Sequence, residues 1–356
     1  MREEYELEVL EKYDIEVRST RRIRGAFFCD TNKGTMLLKE TRISGRRALL
    51  LRKVLGCLEE RGNIRADTPV FTRDGELLVT SREGNVYMLK KWYYGRECDI
   101  RQESETLRAG AQLARLHMEL RDADVLRESD NRTGAVNDEA PSDIPADRGT
   151  LRAVLGMERD PSEEIRKHNR ELKKVRRFIR ARVTKNEFEY LFLDSFEKMY
   201  HLAEKVSERM ELSGCTGLWK DSVEKGVLTH GDYNYHNILV NGDGMAVTNF
   251  EHMCVGVQAH DLYYFLRKAM EKYYWKQKTG QKLLEAYENV CPLSPVEREY
   301  VGLLLAYPEK YWKTASSYYH SNKAWLPKKN VEKLELAVRQ EEEKRAFLES
   351  IFSFGI

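Results

Sequence analysis

The stretch from Leu228 to Glu251, LTHGDYNYHNILVNGDGMAVTNFE, constrains this chain more than any other. His230-Gly231-Asp232 is followed after four residues by Asn237. Ile238-Leu239-Val240 and Met245-Ala246-Val247-Thr248 then bracket Asn241-Gly242-Asp243-Gly244. Two short apolar runs around an Asn-Gly/Asp-Gly tetrapeptide predict a hairpin. A polar loop therefore precedes one strand, and Asn249-Phe250-Glu251 follows the next. Such a layout suits phosphoryl transfer. An Asp on a loop can accept or orient the proton of an attacking hydroxyl, an Asn a few residues on can reach a magnesium ion, and a carboxylate after the second strand can hold the metal on a triphosphate.

The order H-G-D-x-x-x-x-N, hairpin, [D/N]-F-x resembles the aminoglycoside phosphotransferase and choline kinase branch of the protein kinase-like superfamily. The resemblance implies an α+β, bilobal fold with a small N-terminal antiparallel sheet lobe and a large, mainly helical C-terminal lobe. It also implies ATP and Mg2+ as cofactors. By matching position Asp232 is the base-like catalytic residue, Asn237 a metal ligand, and Asn249 stands where the family has its metal-binding Asp. A neutral amide is a poor substitute, because magnesium prefers hard anionic oxygens. Weak or absent metal binding is the expectation unless Glu251 compensates, and in an extended segment alternate side chains face opposite ways.

Ahead of this loop, Ile23 to Cys29 and Thr35 to Lys39 flank Asn32-Lys33-Gly34 and predict a second hairpin. Lys39 ends its strand where the kinase fold keeps the lysine that contacts nucleotide phosphates. A solvent-facing strand-end lysine is the other reading. No G-x-G-x-x-G lies between the first two strands, so a backbone phosphate cradle is not evident. The helix predicted at about 45–60 carries arginines where a kinase places the glutamate that pairs with the lysine. Leu77 to Thr80 and Asn85 to Lys90 form a further strand pair. Lys91 to Glu97, rich in aromatics, would connect the lobes and receive adenine, or else only pack the interface. Lys90 and Trp92 join Lys39 as cofactor-binding candidates. The lobe boundary is expected after residue 97, giving 1–97 and 98–356.

Apolar positions predict an amphipathic helix at about 104–120, with His117 in its packed stripe. Periodicity vanishes from 121 to 149, which reads as a long mobile loop. A helix at about 161–184 carries nine Lys and Arg residues. It is either a solvated face or a docking surface for an anionic partner. Helices are expected at 189–212 and 258–276, with Asp261 in a structural role. An aromatic section with Tyr311, Trp312, Tyr318, Tyr319 and Trp325 reads as core, covered by a tail helix at about 331–352.

With 356 residues, 41% hydrophobic, the chain can bury a large core or two lobes. A formal charge of +2 gives no global field pointing to nucleic acid or membrane. No segment has the length and apolarity of a transmembrane span, and the charged N-terminus lacks a signal-like apolar region, so the protein is expected to cross no membrane. The six scattered cysteines have no C-x-x-C pair and read as buried thiols. Across nearly the whole chain, RGAFFCDTNKGTMLLKE, VYMLKKWYYGRECDI, HGDYNYHNILV with TNFEH, QAHDLYYFLRKAMEKYYW and AYPEKYWKTASSYY with KAW together resemble the CotS-type spore coat proteins. That resemblance implies synthesis in the mother-cell cytoplasm during sporulation, then a place in the spore coat among other coat proteins or coat polymer. Two functions follow: a coat-associated protein on a kinase-like scaffold with weakened or lost phosphotransferase activity, or an active ATP-dependent phosphotransferase acting on a small-molecule or coat-polymer hydroxyl.

Overall fold

The computed structural model describes residues 5–23, 25–121, 147–242, 244–321 and 328–353. It has the expected α+β class, with an N-terminal antiparallel sheet and a mainly helical remainder. The chain divides into two compact units: Met1–Asp99, Ala111–Met157 and Lys225–Gln258 in one, Ile100–Gly110, Glu158–Glu224 and Ala259–Ile356 in the other.

The first unit opens with a 3-10 segment, Tyr5–Lys12, and then the strands β1 (Val17–Ile23), β2 (Ala26–Thr31) and β3 (Gly34–Glu40). After the helix α1 (Gly45–Arg61) come β4 (Arg65–Ala66), β5 (Val79–Thr80), β6 (Val86–Lys91) and β7 (Arg96–Glu97). An antiparallel sheet runs β1-β2-β3-β6-β5. One of its faces buries Phe27, Cys29, Met36, Leu38, Tyr87 and Leu89 against Val9, Leu10 and Tyr13. Alternation along the strands puts Phe28, Leu37, Lys39, Met88 and Lys90 on the opposite face. There Met88 packs on Ala48 of α1. β1 is the outer strand, exposed at all seven positions, and carries Arg18, Arg21 and Arg22. In the pairing of β1 with β2, Ile23 stands opposite Ala26.

The rest of this unit holds the motif. β8 (Leu228–Thr229) pairs with β11 (Cys254–Val255), and β9 (Ile238–Asn241) with β10 (Gly244–Val247) as the hairpin that the sequence predicts. β4 adds parallel to β10 and β7 antiparallel to β9. The end of α2 (Glu103–Arg121) and α3 (Arg148–Leu155) complete it. His117 is fully buried, as expected of a packed histidine.

The second unit, with the start of α2, is built from α4 (Pro161–Ala181), α5 (Glu187–Leu212), α6 (Cys215–Lys225), α7 (Gln258–Lys272), α8 (Gln277–Glu288), α9 (Pro295–Ala306), α10 (Glu309–His320), α11 (Lys328–Arg339) and α12 (Glu341–Phe352). Its starts are written in the sequence. Asn186 with Glu189 and Ser294 with Glu297 form reciprocal capping boxes, the latter with Pro295 in the first turn. Tyr311 and Tyr318 are fully buried and stack on Phe192 and Phe188, so these aromatics are core. The predicted tail helix is instead two helices separated at Gln340, whose side chain donates to the Glu271 carbonyl. No Gly or Pro marks that break. The predicted loop at 121–149 falls, apart from its ends, outside the described residues, as does Trp325; Arg121 ends α2, and Arg148 and Gly149 begin α3.

Candidate functional site

The loop after β8 is fixed by its own backbone. Gly231 has φ +78°, and a Cβ there would sit 2.1 Å from the His252 carbonyl oxygen, so only glycine fits. Fully buried His230 lies 3.1 Å through Nε2 from the Thr248 carbonyl and accepts at Nδ1 from the Asp232 amide at 3.1 Å. These contacts tie the loop to the strand end that carries Asn249.

Asp232 is half-buried and held by two amides. Asn234 Nδ2 donates to its Oδ1 at 2.9 Å and Asn237 Nδ2 to its Oδ2 at 2.9 Å. Each carboxylate oxygen keeps a lone pair for a further donor. Because a carboxylate can only accept, Asn237 must turn its Nδ2 toward Asp232 and its Oδ1 away. That Oδ1 accepts from Asn249 Nδ2 at 2.7 Å. Asn249 Oδ1 in turn accepts from Lys39 Nζ at 3.3 Å. A one-way chain of donors thus runs from the Lys39 ammonium through two neutral amides to the Asp232 carboxylate.

Asn249 sits in the left-handed region, φ 63°, ψ 46°, which Asn and Asp tolerate better than other side chains. A single 3-10 turn, Phe250–His252, follows. The segment is therefore not extended, and strand alternation does not set where Glu251 points. Glu251 Oε1 lies 3.4 Å from Lys39 Nζ and 2.7 Å from Lys90 Nζ, while its Oε2 accepts from Thr41 at 3.3 Å. Lys90, 2% exposed, also bonds Asp67 Oδ2 at 3.0 Å. The same Asp67 oxygen accepts the Asn249 amide at 2.9 Å. Burial acts to raise the pKa of Glu251, but the charges of Lys90 and then Lys39 outweigh it and hold the carboxyl below its ordinary value. For Lys90 burial acts to lower the value, and Asp67 and Glu251 overcome it, holding the ammonium above its usual range.

Lys39 thus has its carboxylate partner in Glu251 and not in α1. Arg47, in the first turn of α1, does another job. Its guanidinium donates to the carbonyls of Glu251, Met253, Val154 and Leu155 at 2.6–3.2 Å, pinning the 3-10 turn and the end of α3.

Of the sequence candidates, Lys39, Lys90, Asp232, Asn237 and Asn249 meet in this one network, and Trp92 stands apart. The Trp92 ring meets Phe28 edge-on at 5.7 Å between centroids. With Thr35, Tyr93, Tyr94 and Gly95 the pair lines a cavity of about 240 Å3 on the Lys39 face of the sheet. Asp67, Thr41 and Arg47 were not singled out in the sequence. Asp67 could have been, as the lone acid between Ile64-Arg65-Ala66 and Pro69-Val70-Phe71.

A magnesium ion finds no fitting donor set here. Asn237 and Asn249 offer neutral amide oxygens, one occupied by the other's NH2 and the second by an ammonium. Asp67 and Glu251 are balanced by Lys90 and Lys39, and both Asp232 oxygens receive amide protons. The buried Oδ1 of Asp67 has no hydrogen-bond partner among the described residues, but one oxygen makes no cage. Among the described residues, no three His, Cys, Asp or Glu side chains group as a metal site.

A sheet bearing a lysine beside an H-G-D loop, a hairpin and a following polar turn defines a kinase-like fold. Similar solved structures are an aminoglycoside phosphotransferase from Alicyclobacillus acidocaldarius, with TM-score 0.78, 18% identity and coverage of 97% of this chain and 94% of that one, and the amicoumacin kinase hAmiN in complex with AMP-PNP, Ca2+ and Ami, with 0.56, 13%, 97% and 94%. A choline/ethanolamine kinase family protein from Mesorhizobium loti gives 0.51, 12%, 96% and 95%. The family model described as "Spore coat putative kinase YutH" matches residues 166–351, and the chain belongs to that family, in keeping with the CotS-type resemblance. No curated protein matches the sequence. Among the described residues no helix is long and apolar enough to cross a membrane.

Proposed function

We propose that this chain is a spore-coat-associated protein that uses the kinase-like fold as a nucleotide-binding platform, with phosphotransfer weakened or lost. The observation that carries this reading is the hydrogen bond from Asn249 to Asn237. It joins the two side chains that would share a divalent metal and leaves no anion between them. Family membership supports a route from the mother-cell cytoplasm to the coat and association with other coat components. The cavity between Phe28 and Trp92, on the Lys39 face, has the aromatic walls and size for a purine. In this reading the adenine enters there, Lys39 faces the phosphates, and Lys90 acts from beneath by holding Glu251 in place.

The test compares ATP with magnesium against ATP with EDTA in thermal melting. ATP is expected to raise the melting temperature equally in both, and no divalent-dependent component should appear. Asn249→Asp keeps the backbone conformation but sets a carboxylate oxygen against Asn237 Oδ1, an opposition that a cation relieves. This variant should gain a magnesium-dependent shift. A magnesium-dependent shift already present in the natural protein would overturn the reading.

The second reading, an active phosphotransferase on a small-molecule or coat-polymer hydroxyl, draws support from Asp232, whose carboxylate is accessible and oriented. If it holds, Asp232→Asn should lower phosphate transfer from ATP by about 10²–10⁴-fold while leaving the protein folded.

A further inference from the structure

The helix α4 is cationic on two sides, and the two sides differ. Ile165, His168, Leu172, Val175 and Ile179 form its buried face. On one flank, cations meet glutamates of α5: Arg166 with Glu211 at 2.7 Å, Lys173 with Glu204 at 3.6 Å, and Arg176 with Glu197. Those glutamates recur every seven residues, the spacing at which one helix face repeats. On the outward side stand Lys167, Arg170, Lys174, Arg177 and Arg180, all exposed. None of the five has a carboxylate within 4.0 Å among the described residues, and from Ile165 to Arg182 the only acid is Glu171, which is engaged by Trp312 and Ser316.

A face that only needs solvation gains by alternating charge, because like charges three or four residues apart on a helix repel. This face does the opposite. Lys167 and Lys174, and Arg170 and Arg177, are each seven residues apart, along a stripe of about 15 Å at 1.5 Å per residue. The spacing matches the one that α5 satisfies on the other flank with Glu197, Glu204 and Glu211. Val183, fully exposed just past the helix end, adds an apolar contact point.

We infer that the outward face of α4 is a docking surface for an acidic helical segment of another protein, with carboxylates at seven-residue spacing, lying along Lys167, Arg170, Lys174 and Arg177 as α5 lies along the opposite flank. The surface is distinct from the nucleotide network and does not depend on its reading. Binding is electrostatic and salt-sensitive, and the register comes from the repeat.

Fluorescence anisotropy on the full chain tests this with a labelled 21-residue helical peptide carrying glutamates at seven-residue spacing on one face. A peptide of the same composition with shuffled spacing and a polyphosphate of equal charge serve as comparisons. The ordered peptide should bind several-fold more tightly than the shuffled one. Combining Lys167→Gln, Arg170→Gln, Lys174→Gln and Arg177→Gln should weaken it about tenfold, from four exposed ion pairs worth a few tenths of a kcal/mol each. Arg170→Glu with Arg177→Glu should transfer the preference to a peptide with lysines at the same spacing, which a misfolded variant would not do. Equal binding of ordered and shuffled peptides, or binding indifferent to these substitutions, would overturn the inference. Tighter binding of polyphosphate than of the ordered peptide through the same residues would overturn it in favour of a phosphate polymer.

Discussion

Exchanging one carboxylate oxygen for an amide nitrogen at Asn249 reverses what the neighbouring side chain can do. The amide donates to the Asn237 oxygen, which a carboxylate would have opposed, while its own oxygen accepts from the Lys39 ammonium. Two lysines and two carboxylates then compensate one another around Glu251, with Lys90 at the buried centre. Removing that centre leaves Asp67 and Glu251 without their shared partner, and Asp67 itself is buried. Lys90→Met should therefore cost about 3–5 kcal/mol, measured by urea denaturation, whereas adding Asp67→Asn to it should recover part of the loss. Asp232, Asn237 and Asn249 were legible because they lie within one short motif with its own hairpin. The partners of Lys90 were not. Asp67 carries no periodic signal, and Glu251 is placed by a left-handed residue and a single 3-10 turn that nothing in the sequence marks.

Helices were the most legible elements where apolar spacing marks them, as in α2 and α5, and least so where the break was made by packing, as between α11 and α12. Basic content alone could not separate the paired flank of α4 from the unpaired one, because that distinction depends on where α5 runs. The buried face of α4 also carries a titration. His168 stacks on Trp312 at 3.4 Å between centroids, and burial pushes its imidazole down to about 4 against the opposing pull of Glu309 and Glu171. The unfolded chain takes up this proton near pH 6.5 and the folded chain only near 4, so stability should fall as pH drops through that window and the contribution should level off below it. The loss is at most about 3 kcal/mol. Urea midpoints at pH 7 and pH 4.5 should differ less for His168→Gln than for the natural protein.

For the molecule as a whole, the cysteines report on how completely the interior is sealed. Five of the six are buried and Cys254 is partly accessible, and burial pushes Cys29 and Cys215 up to about 11, away from the reactive thiolate. A thiol-exchange reagent should thus titrate at most one group quickly in the native protein and all six after denaturation. A second fast thiol would mean that one of the cores opens readily. The spread of these residues through strands and helices, with no spacing motif, made their burial readable but not their individual surroundings. The margin of the five-stranded sheet has a different consequence. β1 is long, pairs on one side only among the described residues and bears Arg18, Arg21 and Arg22, and a bare strand edge is ordinarily a template on which further strands grow. Two such borders carry like charge and repel, so edge-to-edge pairing of two copies through β1 is disfavoured.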